Sequence, residues 1–214
     1  MARIYIHPLP VRIWHWTNAL GFVLMILTGM QIRYVGLIDV VSFHTAVVTH
    51  NYIGFVLIAN YCLWLVFYLT SDRIRAYHSE LNLKKHFIGS FRQIYYYSFG
   101  IFRGDPNPFT PTIYRKFNPL QSMIYQIIMM LLFPLQIYTG ILLWDVKRFS
   151  AQVDFFGGVR VIDTVHVLIF IAFVFYILVH AYLGTLGHTR TAHFKAMMSG
   201  YEDLEDEAEA VAEK

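Results

Sequence analysis

Residues 161–186 read VIDTVHVLIFIAFVFYILVHAYLGTL, an apolar run carrying two histidines, His166 and His180. The run decides the fold class, because a helix needs roughly 20 apolar residues to cross a bilayer and this one exceeds that. The two histidines are fourteen residues apart. At 100° per residue that spacing falls within about 40° of four full turns, so both rings leave nearly the same helix face. At about 1.5 Å rise per residue they stand roughly 21 Å apart along the axis. One ring therefore lies towards each edge of a hydrocarbon layer about 30 Å thick. Ionisable side chains at such depths are costly and point to function. Two nitrogen ligands on one face, at two depths, imply two ligand sites stacked across a membrane.

The whole chain agrees with a membrane setting. Of its 214 residues, 57% are hydrophobic and only 14% charged, against about 25% charged in a soluble domain. We read residues 1–214 as one all-α integral membrane domain. The net charge of +3 is mild. It fits lysines and arginines facing lipid head groups and gives no nucleic-acid footprint. The single cysteine, Cys62, excludes an intramolecular disulfide, a Cys-rich iron–sulfur site and a covalently attached c-type haem. Cys62 itself reads as a small buried hydrophobe. The amino end, MARIYIHPLPVRIWHW, is polar and proline-marked. No small-residue cleavage site follows the first apolar run, so that run is expected to be a retained span.

Four segments are long enough to span: residues 13–34, 43–69, 120–144 and 161–186. Trp14, Trp16, Trp64 and Trp144 fall at or near their ends, as an interfacial aromatic belt places them. The 71–118 connection carries Arg73, Arg75, Lys84, Lys85, Arg92, Arg103, Arg115 and Lys116, whereas 35–42 carries no lysine or arginine. The 145–160 connection carries Lys147, Arg148 and Arg160, and the amino end has Arg3 and Arg12. The positive-inside rule then puts both termini and the long loop of this multi-pass protein in the cytoplasm.

Within the long loop, Leu83, Phe87, Ile88, Phe91, Ile94 and Tyr95 recur at three- and four-residue steps among Lys84, Lys85 and Arg92. That pattern predicts an amphipathic helix over 81–98, either lying in the cytoplasmic interface or packed under the bundle. GDPNPFTPT at 104–112 is a turn region. The acidic tail at 201–214 is open to a frayed or a helical reading. Pro134 predicts a kink in the third span. Gly140, six residues on, is a place where a bulky ligand or a neighbouring helix could approach the backbone.

Four histidines lie at membrane depth and match in pairs. His15 opens the first span and His180 closes the fourth on the cytoplasmic side. His50 lies inside the second span, about two turns from its outer end, and His166 lies near the outer end of the fourth. Each pair, His15/His180 and His50/His166, has the makings of the two axial ligands of one haem iron. Gly54 and Gly184 each follow a histidine by four residues and share its helix face, where they would admit a flat macrocycle or a packed helix. Arg12, one turn before His15, is a candidate partner for a haem propionate, as are Arg33 and Arg160 on the other side. Interfacial snorkelling suits all three as well. His44 competes with His50, but its place at the start of the span suits an interfacial role or a propionate contact. His7, His78, His86, His188 and His193 belong to loops or tails.

These residues carry a family resemblance. RIWHWTNALGFVLMILTGMQI at 12–32, NPLQSMIYQIIMMLLFPLQIYTGILLW at 118–144 and the two histidines of the last span resemble a group of membrane cytochromes. The group comprises the Ni,Fe-hydrogenase b-type cytochrome, the formate dehydrogenase gamma subunit and the thiosulfate reductase cytochrome b subunit. The resemblance takes in all four spans and is weakest in the long loop and tail. It implies a four-helix bundle holding two b haems, His15/His180 on the cytoplasmic side and His50/His166 on the other. That family has N-x-x-Q-K entering the third span. Here Asn118 and Gln121 are present and Ser122 replaces the lysine. The resemblance makes Asn118 and Gln121 candidates for a quinone site beside the cytoplasmic haem.

The expected function is that of a di-haem cytochrome b subunit of a respiratory oxidoreductase. It would transfer electrons between a periplasmic-side partner and the (mena)quinone or ubiquinone pool. The partners implied are an iron–sulfur or multihaem c-type subunit and a catalytic subunit. The alternative is a non-redox membrane anchor, or a transporter whose histidines relay protons. A di-metal oxygenase would need histidines clustered at one depth, not pairs at two.

Overall fold

In the computed structural model, residues 3–71, 83–109, 117–186 and 189–203 are described. The basic residues Arg73, Arg75, Arg115 and Lys116, the histidines His78 and His188, and the tail beyond Asp203 lie outside the described residues. The elements in order are β1 (Arg3–Tyr5), α1 (Leu9–Arg33), α2 (Phe43–Thr70), α3 (Leu83–Tyr95), α4 (Ile101–Arg103), α5 (Pro119–Ile127), α6 (Phe133–Trp144), α7 (Ser150–Phe155), α8 (Val159–Leu183), α9 (Ala192–Ser199) and β2 (Tyr201–Asp203). Among the described residues, four helical stretches are long and apolar enough to cross a membrane: α1, α2, α5 to α6, and α8.

The span boundaries shift slightly from those read in the sequence. α1 starts at Leu9, before Ile13, because Pro10 occupies an early helical position where its fixed φ helps and its missing N–H is not needed. α8 stops at Leu183, and Gly184 is its C-cap. The third span is continuous in sequence but contains a π-helical turn, Ile128–Leu132. The N–H of Phe133 bonds to the carbonyl of Ile128. This wide turn ends two residues before Pro134, whose ring has no N–H to offer the carbonyl one turn back. The expected disturbance is therefore a local rewinding of the backbone. The connection at 145–160, read as a loop, holds the short helix α7.

Backbone contacts divide the chain into two compact units, residues 1–64 with 139–214, and residues 65–138. In the first unit the helices close in a ring. α1 meets α2 where a Cβ on Gly21 would come within 2.6 Å of Leu57 Cδ2. α2 meets α6 through Phe55 and Trp144, 5.1 Å between ring centres. α6 meets α8 through Thr139 and His166. α8 returns to α1 through Phe22 and Phe173, also 5.1 Å apart. Large apolar side chains such as Leu20, Leu27, Leu63, Leu168, Phe175 and Leu178 are exposed, while Asn18, Gln31, Asn60 and Thr139 are buried. This inside-out pattern is that of a bundle solvated by lipid. Cys62, expected to be buried, lies exposed on α2, a thiol being apolar enough for that surface.

The ends of the first unit are fastened differently. At one end Gln31 Nε2 donates to Val41 O and Gln31 Oε1 accepts from Val41 N, pinning the 34–42 loop. Leu142, Val153 and Ile162 form a small core beneath α7. At the other end β1 and β2 pair antiparallel, Tyr5 opposite Tyr201. The beginning of the expected acidic tail is thus a strand. Gly200 makes the clasp possible. Its φ is +92°, and a Cβ there would lie 2.8 Å from His7 O.

The second unit is built on α3 packed against α5. The approach is close, since a Cβ on Gly89 would lie 2.8 Å from Pro119 Cγ. The buried face of α3 is its polar one, His86, Ser90 and Gln93, and Phe87, Ile88, Phe91, Ile94 and Tyr95 are exposed. α3 therefore buries polar groups against protein and turns its aromatic face outwards, as an amphipathic helix does at a lipid surface.

Candidate functional site

All four histidines at membrane depth belong to the first unit. His15 on α1 and His180 on α8 have ring centres 6.1 Å apart, with planes inclined by 53°. Two imidazoles that grip one metal from opposite sides, through nitrogen–metal bonds of about 2 Å, place their ring centres about 6 Å apart. The pair therefore fits a single iron between the rings. His15 Nδ1 is buried without a hydrogen-bond partner. Tyr176, one turn before His180, stacks on it at 5.6 Å. The T-shaped contact of Trp16 with His15, 5.1 Å between centres, walls the other ring.

The second pair shares only α8 with the first, towards that helix's other end. His50 lies on α2 and His166 on α8. Each is held by a threonine from a neighbouring helix. Thr28 Oγ1 lies 2.9 Å from His50 Nδ1, and Thr139 Oγ1 lies 2.9 Å from His166 Nδ1. The residue after each threonine is glycine, and the ring rests against it. A Cβ on Gly29 would lie 3.3 Å from His50 Cε1, and one on Gly140 3.2 Å from His166 Cε1. With Nδ1 tied back in this way, Nε2 is the nitrogen left for a ligand.

Among the described residues no group of three or more His, Cys, Asp or Glu side chains converges on one point. A bare metal ion would find only two protein ligands at each pair. A metalloporphyrin brings four nitrogens of its own and needs just two more. The donor sets thus suit haem.

The other sequence candidates fall into place around these pairs. Gly54 is open, with only Met25 Cε at 3.8 Å from a Cβ built there. Gly184 caps α8, and its Cβ would meet the carbonyls of Ala181 and His180. Arg12 donates to Met198 O, and Trp16 Nε1 donates to Met197 O at 3.3 Å, so both tie α9 to α1. Arg33 pairs with Asp163 at 3.4 Å on the exposed surface. His44 is exposed at the start of α2.

In the second unit, Asn118 and Gln121 form a reciprocal capping box on α5. Asn118 Oδ1 accepts from Gln121 N at 2.8 Å, and Gln121 Oε1 accepts from Asn118 N at 3.1 Å. Asn118 Nδ2 donates to Tyr97 Oη at 3.2 Å. Burial raises the Tyr97 phenol above its ordinary range, while the hydrogen bonds to Gln93 and Asn118 oppose that shift.

Sequence reasoning found Gly140 but not its partner Gly29, nor either threonine's role. The signal was present as a repeated Thr-Gly dipeptide, at 28–29 and 139–140. A buried amide pair was also missed. Asn18 Nδ2 and Asn60 Nδ2 both donate to Trp14 O, at 2.9 and 3.1 Å.

A lipid-solvated helical bundle that sets histidines face to face across its interior is the architecture of a membrane b-type cytochrome. The chain belongs to the prokaryotic cytochrome b561 family, whose model matches residues 6–200. It is 35% identical over 202 residues to a candidate cytochrome of Escherichia coli (strain K12), YdhU, covering 93% of this chain and 74% of that protein. No solved structure matches it. The protein is therefore a multi-pass membrane cytochrome that binds haem b and transfers electrons.

Proposed function

We propose that the chain is the di-haem cytochrome b subunit of a respiratory oxidoreductase, a single membrane domain with both termini in the cytoplasm. The observation that carries this reading is the approach of His15 and His180 to 6.1 Å between ring centres, with His50 on α2 and His166, towards the other end of α8, each held by a threonine. His15 and His180 would hold one haem b, His50 and His166 the other. Haem b would supply one-electron chemistry there, and two histidines for each haem would suit electron transfer over oxygen binding.

The residues of the chain do the positioning. α8 contributes one ligand to each pair and so fixes their spacing, about 21 Å for fourteen residues of helix. Spans α1 and α2 supply the opposing ligands. The ring walls Tyr176, Trp16, Gly29 and Gly140 set ring orientation and exclude water. Electrons would pass between an iron–sulfur or multihaem c-type partner on the periplasmic side and menaquinone or ubiquinone on the cytoplasmic side. Asn118 is the candidate donor to a quinone carbonyl. Its Nδ2 already points at a hydroxyl, and Gln121 holds its carbonyl. If electrons and protons arrive from opposite faces, each charge moved works against about 2.3 kcal/mol per 100 mV.

The test is the reduced-minus-oxidised spectrum of the purified protein with haem quantified per chain. Two b haems per chain are expected, and His50→Leu or His166→Leu should remove one spectral component and leave the other. A haem-free preparation would overturn the reading, as would loss of both components from either variant with the fold intact.

A further inference from the structure

We propose that Thr28–Gly29 and Thr139–Gly140 are two copies of one positioning device. Each fixes Nδ1 of a histidine and presents its Nε2 lone pair to a shared iron; the inference rests on His50 and His166 being ligands.

The geometry repeats in two unrelated places. On α1 and on α6, a threonine hydroxyl sits 2.9 Å from a histidine Nδ1 on an adjacent helix. In both, the next residue is a glycine. A Cβ there would lie 3.3 or 3.2 Å from the ring Cε1, and 3.8 or 3.9 Å from Nδ1. A side chain on either glycine would push the ring away from its hydroxyl. Threonine and glycine thus act together: the glycine admits the ring and the hydroxyl holds its orientation.

Hydrogen counting assigns the tautomer of His50. Thr28 Oγ1 also lies 2.7 Å from the carbonyl of Leu24, one turn back on its own helix. A hydroxyl has one hydrogen and two lone pairs. The carbonyl can only accept, so the hydrogen goes to Leu24, and Thr28 must accept from His50. Nδ1 therefore carries the proton and Nε2 the free lone pair, the form a metal binds. An acceptor on the distal N–H also makes the imidazole a stronger donor, which favours ferric over ferrous iron. His15 differs, since its Nδ1 has no partner. The device thus belongs to one haem pair and should tune that pair alone.

The test uses purified holoprotein with four variants, Thr28→Val, Thr28→Ser, Thr139→Val and Thr139→Ser. The readouts are redox potentiometry of the two spectral components and the low-spin ferric resonance signals. Each valine variant should weaken the ferric preference of the His50/His166 component by about tenfold, the low end for a lost second-shell partner. That is an upward shift of about 59 mV, at 59 mV per decade for one electron. Each serine variant should restore the parent value, and the His15/His180 component should not move. Selective loss of the His50/His166 haem in the valine variants, with the serine variants loaded, also supports the device. Equal shifts in both components, unchanged potentials in all four variants, or failure of serine to rescue would overturn it. These outcomes require two haems in the parent. A haem-free parent would instead overturn the functional reading, and the device with it.

Discussion

Replacing Gly200 by alanine tests how the chain's two ends are clasped next to the His15 helix. The magnitude has two parts. A left-handed backbone costs an L-residue about 1–2 kcal/mol, and Gly200 has φ +92°. A Cβ there would also lie 2.7 Å from Tyr5 Cε2 and 2.8 Å from His7 O. The ring can swing, but the carbonyl is backbone, and forced overpacking costs about 1–3 kcal/mol. The total, about 2–5 kcal/mol, opposes a pairing only three residues long. Two-stranded pairings are marginal by themselves. Two bonds to Gly200 O, from Ile6 N at 3.0 Å and His7 N at 3.1 Å, contribute about 1 kcal/mol each. The clasp should therefore open, and with it the grip of Arg12 and Trp16 on the carbonyls of Met198 and Met197. Hydrogen exchange in lipid nanodiscs is the assay. Amides 6–7 and 201–203 should exchange roughly 30- to 1,000-fold faster, the equivalent of about 2–4 kcal/mol of local opening. Gly36→Ala is the control, with φ +82° and nothing within 4 Å of its Cβ, so it carries the backbone cost without the clash. Unchanged exchange in Gly200→Ala, or an equal rise around α7, would refute the reasoning.

Gly21→Ala should cost about 1–3 kcal/mol by driving a methyl into Leu57, and Leu57→Ala alone about 2–5 kcal/mol. Detergent unfolding of the double variant should give less than the sum; strict additivity would mean that the two helices are not in close contact there. Asn118→Ala should lower stability by about 0.5–2 kcal/mol through loss of the capping box, measured as a shift in the unfolding midpoint, and it should slow quinone turnover. Tyr97 supplies a pH signature. Its folded-state proton affinity is raised by burial, so its contribution is full below the ordinary tyrosine pKa of about 10 and is lost as pH climbs above it. Above that pH the parent should lose stability more steeply than Tyr97→Phe; parallel curves would sink the assignment.

Hydropathy and helical period made the four spans legible, because lipid rewards apolar length residue by residue and needs no partner to do so. The same local rules placed His166 and His180 on one face of α8 and matched His15 and His50 to them by depth. Glycine roles were harder to read. Reasoning along one helix pointed to Gly54 and Gly184, four residues after a histidine. The rings of His50 and His166 instead rest on Gly29 and Gly140, which come from other helices.

The sequence by itself determined a lipid-solvated helical protein with histidines at two depths, since hydrophobic length and a 3.6-residue turn are local properties of the chain. Only the tertiary structure decided which hydroxyl holds which imidazole, and that Gly200 locks residues 3–5 to 201–203. Those contacts join positions far apart in sequence, and no local period encodes them. Thr28 and His50 are 22 residues apart, and Thr139 and His166 are 27 apart. A Thr-Gly dipeptide becomes a cradle only when packing turns its face to a neighbouring ring, and packing is set by all the helices together.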